Sequence, residues 1–114
     1  MKEFEKKFSE CPVAHALDII GGKWSMLVIN EIGSETRRFG ELKRLIPEIS
    51  EKMLIQELKR VVSLGILNRK AYPEIPPKVE YSLTKNGQKV LPIIDQVKVF
   101  GMRMMEERAG SRLN

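Results

Sequence analysis

Apolar residues recur at helical spacing through the first half of the chain, alternate briefly in the middle, and return to helical spacing at the end. Val13, Leu17 and Ile20 follow Cys11-Pro12 at intervals of three and four, and proline suits a first helical position, so a helix runs from there to the Gly21-Gly22 stop. Trp24, Leu27, Val28 and Ile32 fall on one face of a second helix, from about Trp24 to Ile32, which Gly33 ends. An extended piece, Arg37 to Phe39, leads into a small amphipathic helix from Gly40 to Ile46 whose expected buried side is Leu42, Leu45 and Ile46. Pro47 closes it. Ser50 is a good N-cap with Glu51 in the favourable first turn, so the next helix starts there and continues to about Leu64, where Gly65 stops it.

Ile66 to Tyr72 and Val79 to Leu83 read as strands, the second because Val79, Tyr81 and Leu83 alternate with Glu80 and Ser82. The connector from Pro73 to Pro77 holds three prolines, which cannot lie inside a sheet, so the strands form a hairpin with a stiff tip. Two short helices joined by a tight turn and followed by a hairpin make a winged helix-turn-helix. Thr84 caps a long last helix in which Val90, Ile94, Val97, Gly101 and Met104 form a heptad-like seam, and Pro92 predicts a kink or a late start. The expected fold is thus mainly α with a small β-hairpin. It is one unit over residues 1–114, with the helix-turn-helix at about 40–65, the wing at about 66–83 and the last helix at about 85–108.

Charge sharpens this picture. The chain has 114 residues and a net charge of +5, from 20 Lys and Arg against 15 Asp and Glu. The segment from Arg37 to Lys78 holds ten basic and five acidic residues, so the whole excess sits there, as expected of a phosphate-binding face or of a lysine-rich solvated surface. No stretch is apolar enough for a membrane span, and Met1 to Glu10 does not read as a signal peptide, so a cytoplasmic location is the default. A single cysteine excludes an internal disulfide, and with a single histidine it leaves no zinc site; no cofactor is expected.

Unrolled at about 100° per residue, the helix from Ser50 buries Leu54, Leu58 and Val61 and turns Lys52, Gln56, Lys59 and Ser63 outward, with Arg60 on the edge. Glutamine pairs two-pronged with an adenine edge, and lysine donates to guanine or phosphate, so this face has the chemistry of major-groove reading as well as that of an ordinary polar helix face. Lys70 and Lys78 bracket the proline-rich tip, where they would reach phosphates, and Arg37 and Arg38 are looser candidates for the same role. Cys11, at a helix N-terminus where the dipole favours the thiolate and with His15 one turn on, is a candidate for oxidation or alkylation; a buried packing role is the alternative. Enzymatic readings do badly. There is no phosphate-cradling glycine loop and no spaced set of metal ligands, and a Cys11, His15, Asp18 grouping is one that any helix with three polar residues would satisfy.

The segments Cys11-Pro-Val, Ile20-Gly-Gly-Lys-Trp24, Arg38-Phe-Gly-Glu-Leu42, Ile49-Ser-Glu-Lys-Met-Leu54 and Tyr72-Pro-Glu-Ile-Pro-Pro-Lys-Val-Glu-Tyr-Ser-Leu-Thr84, with Gly87, resemble the HxlR-type winged helix-turn-helix transcriptional regulators, relatives of the MarR group. The likeness covers about residues 11–105. It implies a homodimeric bacterial regulator on double-stranded DNA, with N-terminal and last helices forming the dimer interface, the helix from Ser50 reading DNA and the Tyr72 to Lys78 connector as wing. Ser50, Lys52 and Gln56 match the family's DNA-facing pattern, and Ile55 departs from it, standing where a hydroxyl residue is common. Several members answer to electrophiles or oxidants through a cysteine near the N-terminus, the position of Cys11. The expected function is therefore a sequence-specific repressor or activator on a near-palindromic operator, contacting DNA through Ser50, Lys52, Gln56, Lys59, Arg60, Arg38, Lys70 and Lys78. The alternatives are a protein-interaction module of the same fold and a regulator that senses a small molecule, in a pocket between wing and dimer helices, without a reactive thiol.

Overall fold

The computed structural model describes residues 10–113; the N-terminal segment read as no signal peptide lies outside the described residues, except Glu10. Pro12 opens α1 (Pro12–Ile20) with Cys11 as its N-cap, and the Gly21 N–H closes it on the Leu17 carbonyl at 2.7 Å. Next come α2 (Ser25–Ile32), β1 (Arg37–Arg38), α3 (Phe39–Leu45), α4 (Glu51–Ser63), β2 (Leu67–Tyr72), β3 (Lys78–Leu83), the single turn α5 (Lys85–Gln88) and α6 (Leu91–Leu113). Gly33 ends α2 at φ 53°, a backbone conformation that side chains disfavour. Ser50 caps α4, its Oγ accepting from the Met53 N–H at 3.1 Å.

The core gathers where α2, α3, α4 and the sheet converge. Ile29, Ile32, Leu42, Ile49, Leu54 and Leu58 are its largest buried side chains, each stabilising the fold by about 1.5–3 kcal/mol. Tyr81 and Leu83 close it from the sheet, as their alternation predicts, and Val90 and Ile94 close it from the start of α6. The sheet has a third strand beyond the expected hairpin. Its order is β1-β3-β2, all antiparallel, with Arg37 opposite Tyr81 and Arg38 opposite Glu80. Two residues of extended chain carry too little pattern to announce a strand, yet they tie the entrance of α3 to the wing.

Thr84 links wing and last helix. Its hydroxyl lies 2.6 Å from the Gly65 carbonyl, which accepts from it, and it accepts from the Gly87 N–H at 3.0 Å. The turn it caps is α5 alone, and α6 starts at Leu91 with Pro92 in its first turn, so of the two outcomes expected of Pro92 the late start is the one found. Leu45 of α3, expected on the buried side, is exposed, as are Val13 and Leu17 of α1, Leu27 of α2 and Val97 and Met104 of α6. The core takes Ala14 and Ile20 from α1 and Val28, Ile29 and Ile32 from α2. Beyond Ile94, α6 runs past the core, and among the described residues its apolar side chains from Val97 onward stand exposed. The radius of gyration, 17.1 Å, exceeds the roughly 13 Å of a compact chain this long.

Candidate nucleic-acid interface

The turn from Ile46 to Ser50 separates α3 from α4 and is held from both sides. The Ile49 N–H donates to the Ile46 carbonyl at 3.3 Å, and Lys43 Nζ donates to the Pro47 carbonyl at 3.1 Å. Ile49 itself is fully buried beneath the turn. With Leu54, Leu58 and Val61 anchored in the core, helical geometry sets Lys52, Gln56, Lys59 and Ser63 within about 60° of arc on the opposite side. All four are exposed, and Glu51 lies off this strip near the helix start. The Ser63 hydroxyl, however, donates back to the Arg60 carbonyl at 2.6 Å. The outward chemistry of α4 is thus carried by Lys52, Gln56 and Lys59, with Ser50 spent on its cap.

Arg60 stands apart from this group. Its Nε and Nη2 donate to Glu57, at 3.3 and 2.7 Å, Nη1 donates to the Asp18 carbonyl at 3.1 Å, and Nη2 reaches the Ile19 carbonyl and Ser25 Oγ, both at 2.8 Å. Arg60, expected among the DNA contacts, has its guanidinium turned to α1 by these bonds. A helical wheel gives an angle only, and an edge position is open to whichever neighbour supplies acceptors. Glu57 and Ser25, which the sequence reading passed over, are the buried polar partners of this arginine.

The wing brings other cations close to α4. Arg69 of β2 and Lys59 of α4 border one groove of about 350 Å³, floored by Phe39, Ile55, Leu58 and Tyr81. Arg69 is exposed and was missed because neither its neighbours nor the alternation of β2 mark it out. A second groove lies between α1 and the α5–α6 junction, lined by Ala16, Ile19, Ile66 and Ile93 among others. At the wing root the Tyr72 ring sits between two ammonium groups, Lys70 at 5.0 Å and Lys78 at 4.5 Å from its centroid. Lys78 is also paired with Glu80 at 2.9 Å. The hydrogen bond to Glu80 raises the Lys78 pKa, and the same bond holds the Glu80 carboxyl below the usual carboxylate range. Lys70 is the freer of the two. Arg38 is exposed and meets Lys78 across a shallow groove, whereas Arg37 is half-buried, its Nε donating to the Glu31 carbonyl at 3.0 Å.

Exposed cations thus stand on three neighbouring elements: Lys52 and Lys59 on α4, Arg69 and Lys70 on the hairpin, and Arg38 at the entrance to α3. Cys11 lies at the far end of α1, half-buried and free, its carbonyl accepting from the His15 N–H at 3.0 Å. No cluster of three or more metal-ligating side chains occurs among the described residues, and no described helix is long and apolar enough to cross a membrane.

Comparison with known proteins agrees with this geometry. The profile of the HxlR-like helix-turn-helix family matches residues 19–109. An HTH-type transcriptional regulator of Methanothermobacter thermautotrophicus is 44% identical over 91 residues, 80% of this chain and 70% of that protein. The crystal structure of a MarR-family transcriptional regulator from Porphyromonas gingivalis W83 superposes with a TM-score of 0.79 at 57% identity, over 82% of this chain and 91% of that one. The redox regulator HypR in its reduced form gives a TM-score of 0.81 at 37% identity, over 88% and 99% of the two chains.

Proposed function

The chain belongs to the HxlR-like helix-turn-helix family of transcriptional regulators, and from that premise we propose that it binds a near-palindromic operator as a homodimer, with one α4 in each of two successive major grooves. The observation that carries this reading is the outward strip of α4, where Lys52, Gln56 and Lys59 share one exposed arc beside a cationic wing. Lys52 and Gln56 read base edges; Lys59, Lys70 and Arg38 hold phosphates, with Lys78 contributing less because Glu80 already neutralises it. Two-fold symmetry puts the half-sites about one DNA turn, roughly 34 Å, or a multiple of it apart. The dimer contact that supports this uses the apolar side chains this chain leaves uncovered: Val13 and Leu17 of α1, and Val97, Phe100 and Met104 of α6. Cys11, at the N-terminus of that same α1, is the site at which an oxidant or electrophile alters the dimer. Support comes from its standing as a half-buried free thiol and from the likeness to a redox regulator.

The test is selection of bound duplexes from a random pool, followed by Lys52→Ala with Gln56→Ala. We expect loss of preference for the selected duplex of about 1–3 kcal/mol per lost base contact, with weaker loss on bulk DNA. Equal loss on both overturns the assignment of α4 as the reading helix. Light scattering at micromolar protein is expected to give twice the mass of one chain; a monomer refutes the paired arrangement.

A further inference from the structure

Helix α1 has no basic residue in its own last turn, so its final carbonyls need donors from elsewhere. Arg60 supplies them from 41 and 42 residues away, at the Ile19 and Asp18 carbonyls. The same fork binds Ser25 Oγ at the start of α2 and the carboxylate of Glu57, one turn back on α4. Ser25 is fully buried and the Glu57 side chain is 11% exposed, so neither finds comparable partners in water. One planar cation with five bonds therefore fixes three helices at a single point.

We infer that Arg60 is a positioning residue that sets the angle of the DNA-reading helix relative to α1, and so to the two-fold axis of the dimer. It touches no DNA. The inference rests on the dimeric, DNA-reading assignment above. Its physical basis is that the core holds α4 along one face, through Leu54, Leu58 and Val61, while Arg60, on the flank of the same helix, is the hydrogen-bonded tie from α4 to α1. A helix held along one face can still swing about its own contacts, and a tie on its flank removes that freedom. Displacement of α1, including displacement begun at Cys11, is carried to the reading face through this fork.

The experiment compares the duplex selected by the wild-type protein with the same duplex carrying one base pair inserted at its centre, which shifts the second half-site by about 3.4 Å and turns it about 35°. Wild type is expected to prefer the selected spacing by about tenfold or more, Arg60→Met by about threefold or less, and Arg60→Lys, which keeps the charge but not the fork, to fall between. Loss of folded protein lowers the active fraction on both duplexes alike and leaves this ratio unchanged, so the ratio separates positioning from stability. If Arg60→Met does not fold, Ser25→Ala, which deletes one acceptor, is measured in the same way and is expected to reduce the ratio. A variant ratio equal to that of wild type overturns the inference and leaves the DNA assignment intact. Absence of any spacing preference in wild type overturns the dimeric reading, and the inference with it.

Discussion

The salt dependence of DNA binding offers a quantitative test of the cationic surface, because each phosphate neutralised releases counterions and steepens the fall of affinity with salt. Arg38, Lys52, Lys59, Arg69 and Lys70 are exposed cations of the helix-turn-helix and wing; Arg60 is committed to α1 and Lys78 to Glu80. Five such cations per protomer make about ten across a dimer, for a slope of log K against log salt of about −9 and an affinity loss of roughly a hundred-thousand-fold between roughly 50 and 200 mM salt. Lys70→Ala removes two of them, and the slope is expected to relax to about −7. Lys78→Ala, removing an amine already paired, is expected to change it by less. Fluorescence anisotropy with one labelled duplex titrated at four or five salt concentrations measures all three slopes. A wild-type slope shallower than about −3, or an unchanged slope in Lys70→Ala together with a large change in Lys78→Ala, refutes the count of free and committed charges.

Further outcomes are expected of three variants. Glu80→Gln frees the Lys78 ammonium and should tighten binding to bulk DNA and steepen its salt slope; no change in either means that Lys78 points away from the duplex. Because the Glu80 pKa is lowered in the fold, the stabilisation from its pair with Lys78 is present above the ordinary carboxylate range and lost as pH falls through the lowered value, so Glu80→Gln and wild type should converge in thermal stability at strongly acidic pH, as followed by circular dichroism. Gly87→Ala would drive a Cβ into the Ile66 carbonyl, and a loss of about 2 kcal/mol, seen as a melting temperature lower by roughly 10 °C, is expected; an unaltered melt disproves the tight packing of α5 on the strand entrance. Cys11→Ser should bind the selected duplex normally and no longer release it on treatment with hypochlorite or a quinone, whereas undiminished release by either reagent assigns the response to another residue.

Much of this fold is legible in the sequence because its boundaries are chemical. Pro12 opens α1, Ser50 caps α4, Thr84 begins the turn after β3, and Gly33 and Gly65 take up positive φ where helices stop. Periodicity predicts an apolar face without saying what covers it, and for that reason Leu45 reads as buried and stands exposed. The outward strip of α4 was legible from angular arithmetic because three buried residues fix the helix's rotation. The tie from Arg60 to α1 was not, since its acceptors there are main-chain carbonyls more than 40 residues away, and backbone groups look alike in any sequence. The extended piece at Arg37 was expected, but two arginines carry no pattern to announce that it pairs with β3 as a third strand.

The strand order has one more effect. With β3 in the middle, β2 forms a margin of the sheet whose outer row of amide and carbonyl groups is free to recruit a stray strand from another molecule. Asn68, Arg69 and Lys70 stand exposed along that margin, and like charges there repel an incoming copy. The side chains that suit this hairpin to a polyanion thus also guard a crowded solution of the protein against clumping, and a variant stripped of them would forfeit solubility along with its grip.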